Sequence, residues 1–146
     1  MKLILGAFSF RGRTNRQPYW LTSLAVFCAI FAAASVTIIP LIGPVIALVV
    51  LVGAVVASLA TAARRIHDRG RSAWWLLAMY VPMLLLSGLG AVARMSEPEA
   101  GAFFSLLSLP FSIWIFVDLG CLSGTVGPNR FGPDPLEPGG VAEVFS

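Results

Sequence analysis

The segment ARRIHDRGRSAWW, residues 63–75, holds the only histidine, one of three aspartates and four of the ten basic residues of this 146-residue chain. Those residue types suggest acid–base or metal chemistry, but their spacing argues against both. His67 and Asp68 are adjacent, so on a helix they point about 100° apart and cannot pair face to face. No serine or cysteine near them has the context of a nucleophile. A single histidine falls short of a usual metal site. Cys28 and Cys121 stand alone in apolar runs, which suits packing better than a disulfide or zinc. No catalytic residue, metal ligand or cofactor is therefore expected.

The chemistry that fits is recognition of anions. Arg64, Arg65, Arg69 and Arg71 precede Trp74 and Trp75, and the arm before them carries Arg11, Arg13 and Arg16, with Arg130 in the tail. Near an anionic lipid surface each such residue contributes on the order of 1 kcal/mol. The same residues would also serve as topology signals. Asp68 lies three residues after Arg65 and four after Arg64, within reach of either on a helix. Asp118 is the acid inside an apolar run, about 9 Å from the centre of its segment. Left unpaired at a helix centre, a carboxylate costs about 3 kcal/mol, and less toward an interface. Arg64 or Arg65 is its expected partner. Asp134 sits in the turn-rich tail and is the third candidate for a charge pair.

These residues are separated by apolar elements. The chain is 58% hydrophobic and 12% charged, about half the charge of a typical soluble domain. Four segments are long enough for about 30 Å of hydrocarbon: residues 19–39, 45–63, 73–93 and 102–121. They predict a four-transmembrane-helix bundle in one domain, 1–135, with a tail at 122–135 and a flexible end at 136–146. The apolar stretch after the N-terminal arm reads as a retained span, not a cleaved leader. The net charge of +3 is interleaved with these runs and lines no soluble face, so no nucleic-acid partner is expected.

Lysine and arginine alternate between loops. Lys2 and the three arm arginines precede span one, and the PLIGP turn after it has none. The cluster follows span two, one arginine against two glutamates follows span three, and Arg130 lies in the tail. Basic flanks mark cytoplasmic ends, which places both termini and the cluster in the cytoplasm. Tyr19, Trp20, Trp74 and Trp75 would sit in the cytoplasmic interfacial belt. Locally, Asn15 is the expected first cap, with Pro18 at the third helical position. Span two should run on through the arginines and stop at Gly70, with Ser72 capping span three. Gly53, Ala57 and Thr61, and likewise Ala54, Ser58 and Ala62, form small-residue rows that allow close packing. Pro82 and Pro110 are expected to kink spans three and four.

Three segments, FSFRGRTNRQPYW, RRIHDRGRSAWW and GTVGPNRFGPDP, come in this order and resemble the signatures of a bacterial inner-membrane family, domain of unknown function 805. The resemblance covers residues 8–135. Gly12, Arg13, Asn15, Arg16, Tyr19 and Trp20 match the first signature. Arg64, Arg65, His67, Asp68, Gly70, Ser72, Trp74 and Trp75 match the second, and Asn129, Phe131, Gly132, Asp134 and Pro135 the third. Pro18 replaces a more usual charged or polar residue. The resemblance implies a small multi-pass bacterial membrane protein and brings no activity. All three segments fall on the cytoplasmic side of the expected topology. They are expected to assemble one cytoplasmic cap, held by arginine–aspartate pairs and stacked tryptophans. Its expected partners are membrane lipids, chiefly anionic, a partner protein or further copies of the chain. The alternative is a small oligomeric transporter or channel that uses Asp118.

Overall fold

The computed structural model describes residues 8–137. Lys2 and residues 138–146 of the expected flexible end lie outside that range. Among the described residues the regular structure is helical, apart from one isolated bridge between Asn129 and Gly132. Among the described residues four helices are long and apolar enough to cross a membrane. The chain forms two compact units. One comprises residues 8–71 and 123–137, and the other Ser72–Leu122.

In the first unit, α1 (Arg16–Val36) begins where expected, after Asn15 in an extended conformation. The Asn15 side chain makes no capping hydrogen bond. Pro18 falls at the third helical position, where its missing N–H leaves no bond unmade. The helix ends three residues before the expected boundary, and the Thr37 hydroxyl donates to the Ala34 carbonyl at 2.6 Å. The turn that follows is a γ-turn: Leu41 has φ 66° and ψ −54°, and the Ile42 N–H donates to the Pro40 carbonyl at 2.8 Å. A non-glycine residue in that conformation is strained.

Helix α2 (Ile42–Asp68) absorbs Gly43 and Pro44 into its first turn and so starts three residues before the expected span. Its 27 residues extend about 40 Å, more than hydrocarbon requires. Ala54, Ala57, Thr61 and Ala62 from the two predicted small-residue rows are buried, whereas Ser58 is exposed and Gly53 meets open space. The helix stops at Gly70, as its sequence foretells. Gly70 has φ +70°, its N–H donates to the His67 carbonyl at 2.9 Å, and the Arg71 N–H reaches Ile66 at 3.2 Å. This pair of bonds is a Schellman motif, whose left-handed residue favours glycine.

In the second unit, α3 (Trp75–Ala93) starts two residues later than expected. Ser72 takes part through its carbonyl, which accepts the Trp75 N–H at 3.1 Å, and the N-cap is Trp74. Helix α4 (Pro98–Ile115) carries Pro98 in its first turn, where a proline needs no partner. It continues into a six-residue π-helical turn, Phe116–Cys121. Pro82 and Pro110 lie inside α3 and α4. The two helices approach closely at Gly90 and Gly101: a Cβ on Gly90 would stand 2.8 Å from the Ser105 hydroxyl. Arg94 crosses to the same hydroxyl at 2.8 Å.

Candidate functional site: the arm–helix–tail junction

The C-terminus of a helix leaves its last carbonyls without intrahelical donors. At the end of α2 the arm and the tail supply what the Schellman motif does not. The Arg64 carbonyl accepts the Thr14 N–H at 3.3 Å, and the Asp68 carbonyl accepts the Thr125 N–H at 2.8 Å and its hydroxyl at 3.0 Å. The His67 carbonyl takes a second bond from Asn129 Nδ2 at 3.0 Å, and the Gly70 carbonyl takes one from Arg130 at 3.2 Å. Three segments distant in sequence thus converge on one helix end.

At their centre is the Asp68 carboxylate, 3% exposed. Its Oδ1 accepts from Arg13 Nε at 3.1 Å, with Arg13 Nη2 also at 3.1 Å, and its Oδ2 accepts from Arg65 Nη1 at 2.6 Å. Arg13 extends onward to the tail, donating to the Gly127 and Thr125 carbonyls, each at 2.6 Å. Arg13 and Arg65 are as buried as the acid between them. A buried charge is tolerable only when paired and hydrogen-bonded, and here one carboxylate serves two guanidiniums. Gly124 lies directly over this acid, and a Cβ there would overlap the Asp68 carboxylate.

Asp134 differs from the expectation that it pairs with an arginine. Its direct partners are backbone amides: Leu136 donates to Oδ1 at 3.0 Å and Gly127 to Oδ2 at 2.9 Å. The Leu136 bond foremost, then the Gly127 bond, hold its carboxyl below the ordinary value, and the Arg13 charge adds to them. An acid between two turns finds amides before it finds a side chain.

An aromatic pair also staples the junction. His67 stacks on Phe131, with ring centroids 4.0 Å apart and planes 7° off parallel. Arg130 stands 4.7 Å from the Phe131 centroid, and His67 Nδ1 lies 3.3 Å from the Gly12 carbonyl. Trp74 is 76% exposed, and Trp75 meets Trp114 edge-on at 6.2 Å within the second unit. Both belong to the turn and first residue that start α3.

The structure therefore sorts the remaining candidates. Arg11, Arg16 and Arg130 are exposed, and Arg69, Arg71 and Arg64 are half-buried. Arg64 Nη2 donates to the Thr61 hydroxyl at 3.3 Å. Asp118, in the second unit, is 3% exposed and lies in the π-helical turn. Sequence reasoning passed over Thr125, Gly124 and the His67–Phe131 stack. The one available signal was the fixed spacing of the tail motif. Among the described residues no group of three His, Cys, Asp or Glu side chains is placed to hold a metal ion.

A family model described as protein of unknown function (DUF805) matches residues 7–133. The chain is 32% identical over 131 residues to the uncharacterized protein YiiR of Escherichia coli strain K12, covering 87% of this chain and 86% of that one. It is 31% identical over 151 residues to the inner membrane protein YhaH of the same strain, covering 94% and 97%. To the inner membrane protein YhaI it is 30% identical over 128 residues, covering 86% and 85%. No solved structure matches.

Proposed function

This chain belongs to the DUF805 family, and from that premise we propose a non-enzymatic, multi-pass inner-membrane protein whose arm–helix–tail junction binds anionic lipid headgroups from the cytoplasmic side. Its four apolar helices and the names of its relatives support the membrane assignment. Both termini are cytoplasmic in this reading, because lysine and arginine concentrate on alternate loops. The three signature segments then form a cap on that side.

One observation carries the lipid reading: the junction divides its arginines into two sets. Arg13 and Arg65 are buried on Asp68, whereas Arg11, Arg16 and Arg130 are exposed around the same helix end. The buried pair holds the fold, and the exposed set offers planar donors suited to phosphate. Helix α2 is longer than the hydrocarbon it crosses, so its last turns emerge at headgroup depth. The test is native mass spectrometry of the full chain in mild detergent with added phosphatidylglycerol. Wild type is compared with an Arg11→Gln, Arg16→Gln, Arg130→Gln variant. Retention by wild type, weakened by salt and lost in the variant, supports the reading. Equal retention in both proteins overturns it.

A second reading rests on Asp118. Single π-helical turns inside α-helices occur often at functional sites, and a buried acid within a membrane helix is a functional candidate by default. In that reading the chain is a small oligomeric transporter or channel. Ion or solute flux in proteoliposomes that vanished with Asp118→Asn would favour it over the lipid reading.

A further inference from the structure

Within the first unit a cavity of about 140 Å³ opens beside the junction, bordered by Asn15, Arg16, Asp134, Val126 and Leu136 and by the Arg65–Asp68 ion pair. We propose that it is the headgroup subsite of an aminophospholipid: it takes the primary ammonium group, while Arg16 at the rim meets the phosphate of the same lipid. The inference rests on the lipid reading above and adds a different chemistry at a different place.

The carboxylates of Asp68 and Asp134 and the guanidiniums of Arg16 and Arg65 border the cavity. Asp134 is 7% exposed, and each of its carboxylate oxygens accepts one backbone N–H, which leaves further lone pairs on both. Among the described residues Asp134 forms no ion pair, whereas Asp68 forms two. Asn15 borders the same space, and its buried carboxamide oxygen accepts no hydrogen bond. A group carrying positive charge and several N–H donors complements that wall, and a primary ammonium has both. A trimethylammonium group carries the charge without a donor and is larger. A cavity of this size holds about six heavy atoms, by comparison with the cavity that binds benzene, enough for an ethanolamine moiety.

The rim indicates that the amine arrives on a lipid. Val126 is 97% exposed and Leu136 75% exposed, yet both border the cavity beside Asn15 and Arg16, where α1 begins. Two bare aliphatic side chains at the end of a membrane-crossing helix lie where glycerol and acyl chain begin. Arg16 is exposed at the same rim, positioned for the phosphate that links headgroup to glycerol.

The test is competitive native mass spectrometry of the full chain with equimolar phosphatidylethanolamine, phosphatidylcholine and phosphatidylglycerol, together with the water-soluble glycerophosphoethanolamine. Phosphatidylethanolamine and phosphatidylcholine have the same net charge, so the preference between them reads the cavity alone. Wild type is expected to prefer phosphatidylethanolamine by about tenfold, the scale of one charge-assisted hydrogen bond. That preference should disappear in Asp134→Asn and in Asn15→Ala, with phosphatidylglycerol retention unchanged. Asn15→Ala removes no capping bond, so it remains decisive if Asp134→Asn fails to fold. Equal retention of the two zwitterionic lipids by wild type, or a preference that survives both variants, overturns the subsite while phosphatidylglycerol retention preserves the lipid reading. Loss of all three lipids overturns both. Full displacement by glycerophosphoethanolamine would reassign the cavity to a soluble amine.

Discussion

Arg13 and Asp68 stand 55 positions apart in sequence and meet through two nitrogens on one oxygen, Nε and Nη2 each 3.1 Å from Oδ1. The second carboxylate oxygen goes to Arg65. The helix that bears Asp68 is thereby tied to the arm before α1, and Arg13 continues the tie to the tail carbonyls of Thr125 and Gly127. The Arg13 contacts thus join three segments that are distant in sequence.

Replacing Asp68 by Asn should be among the most damaging single changes in the chain. It leaves two buried guanidiniums around a neutral amide, and removal of one partner from a buried ion pair costs about 3–5 kcal/mol. Arg13→Lys should cost less, about 2 kcal/mol, because an ammonium keeps the charge but cannot hold the carboxylate and two carbonyls at once. Thermal unfolding in detergent should rank the proteins wild type, Arg13→Lys, Asp68→Asn. The reverse order of the two variants would show that the carboxylate is not the centre of the junction.

Gly124→Ala places a methyl group on the Asp68 carboxylate. Either the tail lifts or the ion pairs open, at about 1–3 kcal/mol for an overpacked site. Gly88→Ala is the control, since nothing lies within 4 Å of a Cβ there. Limited proteolysis should cut the tail of Gly124→Ala faster than that of wild type and leave Gly88→Ala unaffected. Equal susceptibility in both variants would deny that the tail lies on Asp68.

Phe131→Ala removes the parallel partner of His67 and the ring beside Arg130. Stacking of this kind contributes about 0.5–1.5 kcal/mol beyond the area it buries. Phe131→Tyr keeps the ring and should behave as wild type. The His67 C–H resonances, shifted by the ring in wild type and in Phe131→Tyr, should return to ordinary positions in Phe131→Ala.

What the sequence disclosed about this junction follows a physical division. Spans, the stop at Gly70 and the reach of Arg65 to Asp68 are local consequences of helical period, and each can be read within a few residues. The partner of Arg13 cannot, because no period links residue 13 to residue 68. The tail residues that cap α2 have no periodicity, so their composition announces turns but not the carbonyls they satisfy. Adjacent aromatics at a helix start indicate interface depth, whereas the ring that stacks on His67 comes from 64 positions away, set by the tail motif. The π-helical turn around Asp118 also escapes composition, since a shift from one hydrogen-bond register to the next leaves the residue types unchanged.

The acid dependence of the tail should report on Asp134. Its carboxyl ordinarily titrates at 3.8 and is held lower in the folded chain by the N–H groups of Leu136 and Gly127. A group that binds its proton less readily when folded stabilises the fold at every pH above its unfolded value. That contribution fades as the pH falls below 3.8 and is lost on passing through the lower folded value. Proteolysis or hydrogen exchange of residues 123–137 should therefore show steady protection from neutral pH to about 4, with opening below. Asp134→Asn retains one acceptor and turns an N–H toward the second amide, so its tail should already be looser at neutral pH and lack this part of the acid response. Opening well above the carboxylate range would point instead to the imidazole of His67. The two outcomes assign the hold on the tail to different residues: a carboxylate between two amides, or a ring stacked on Phe131.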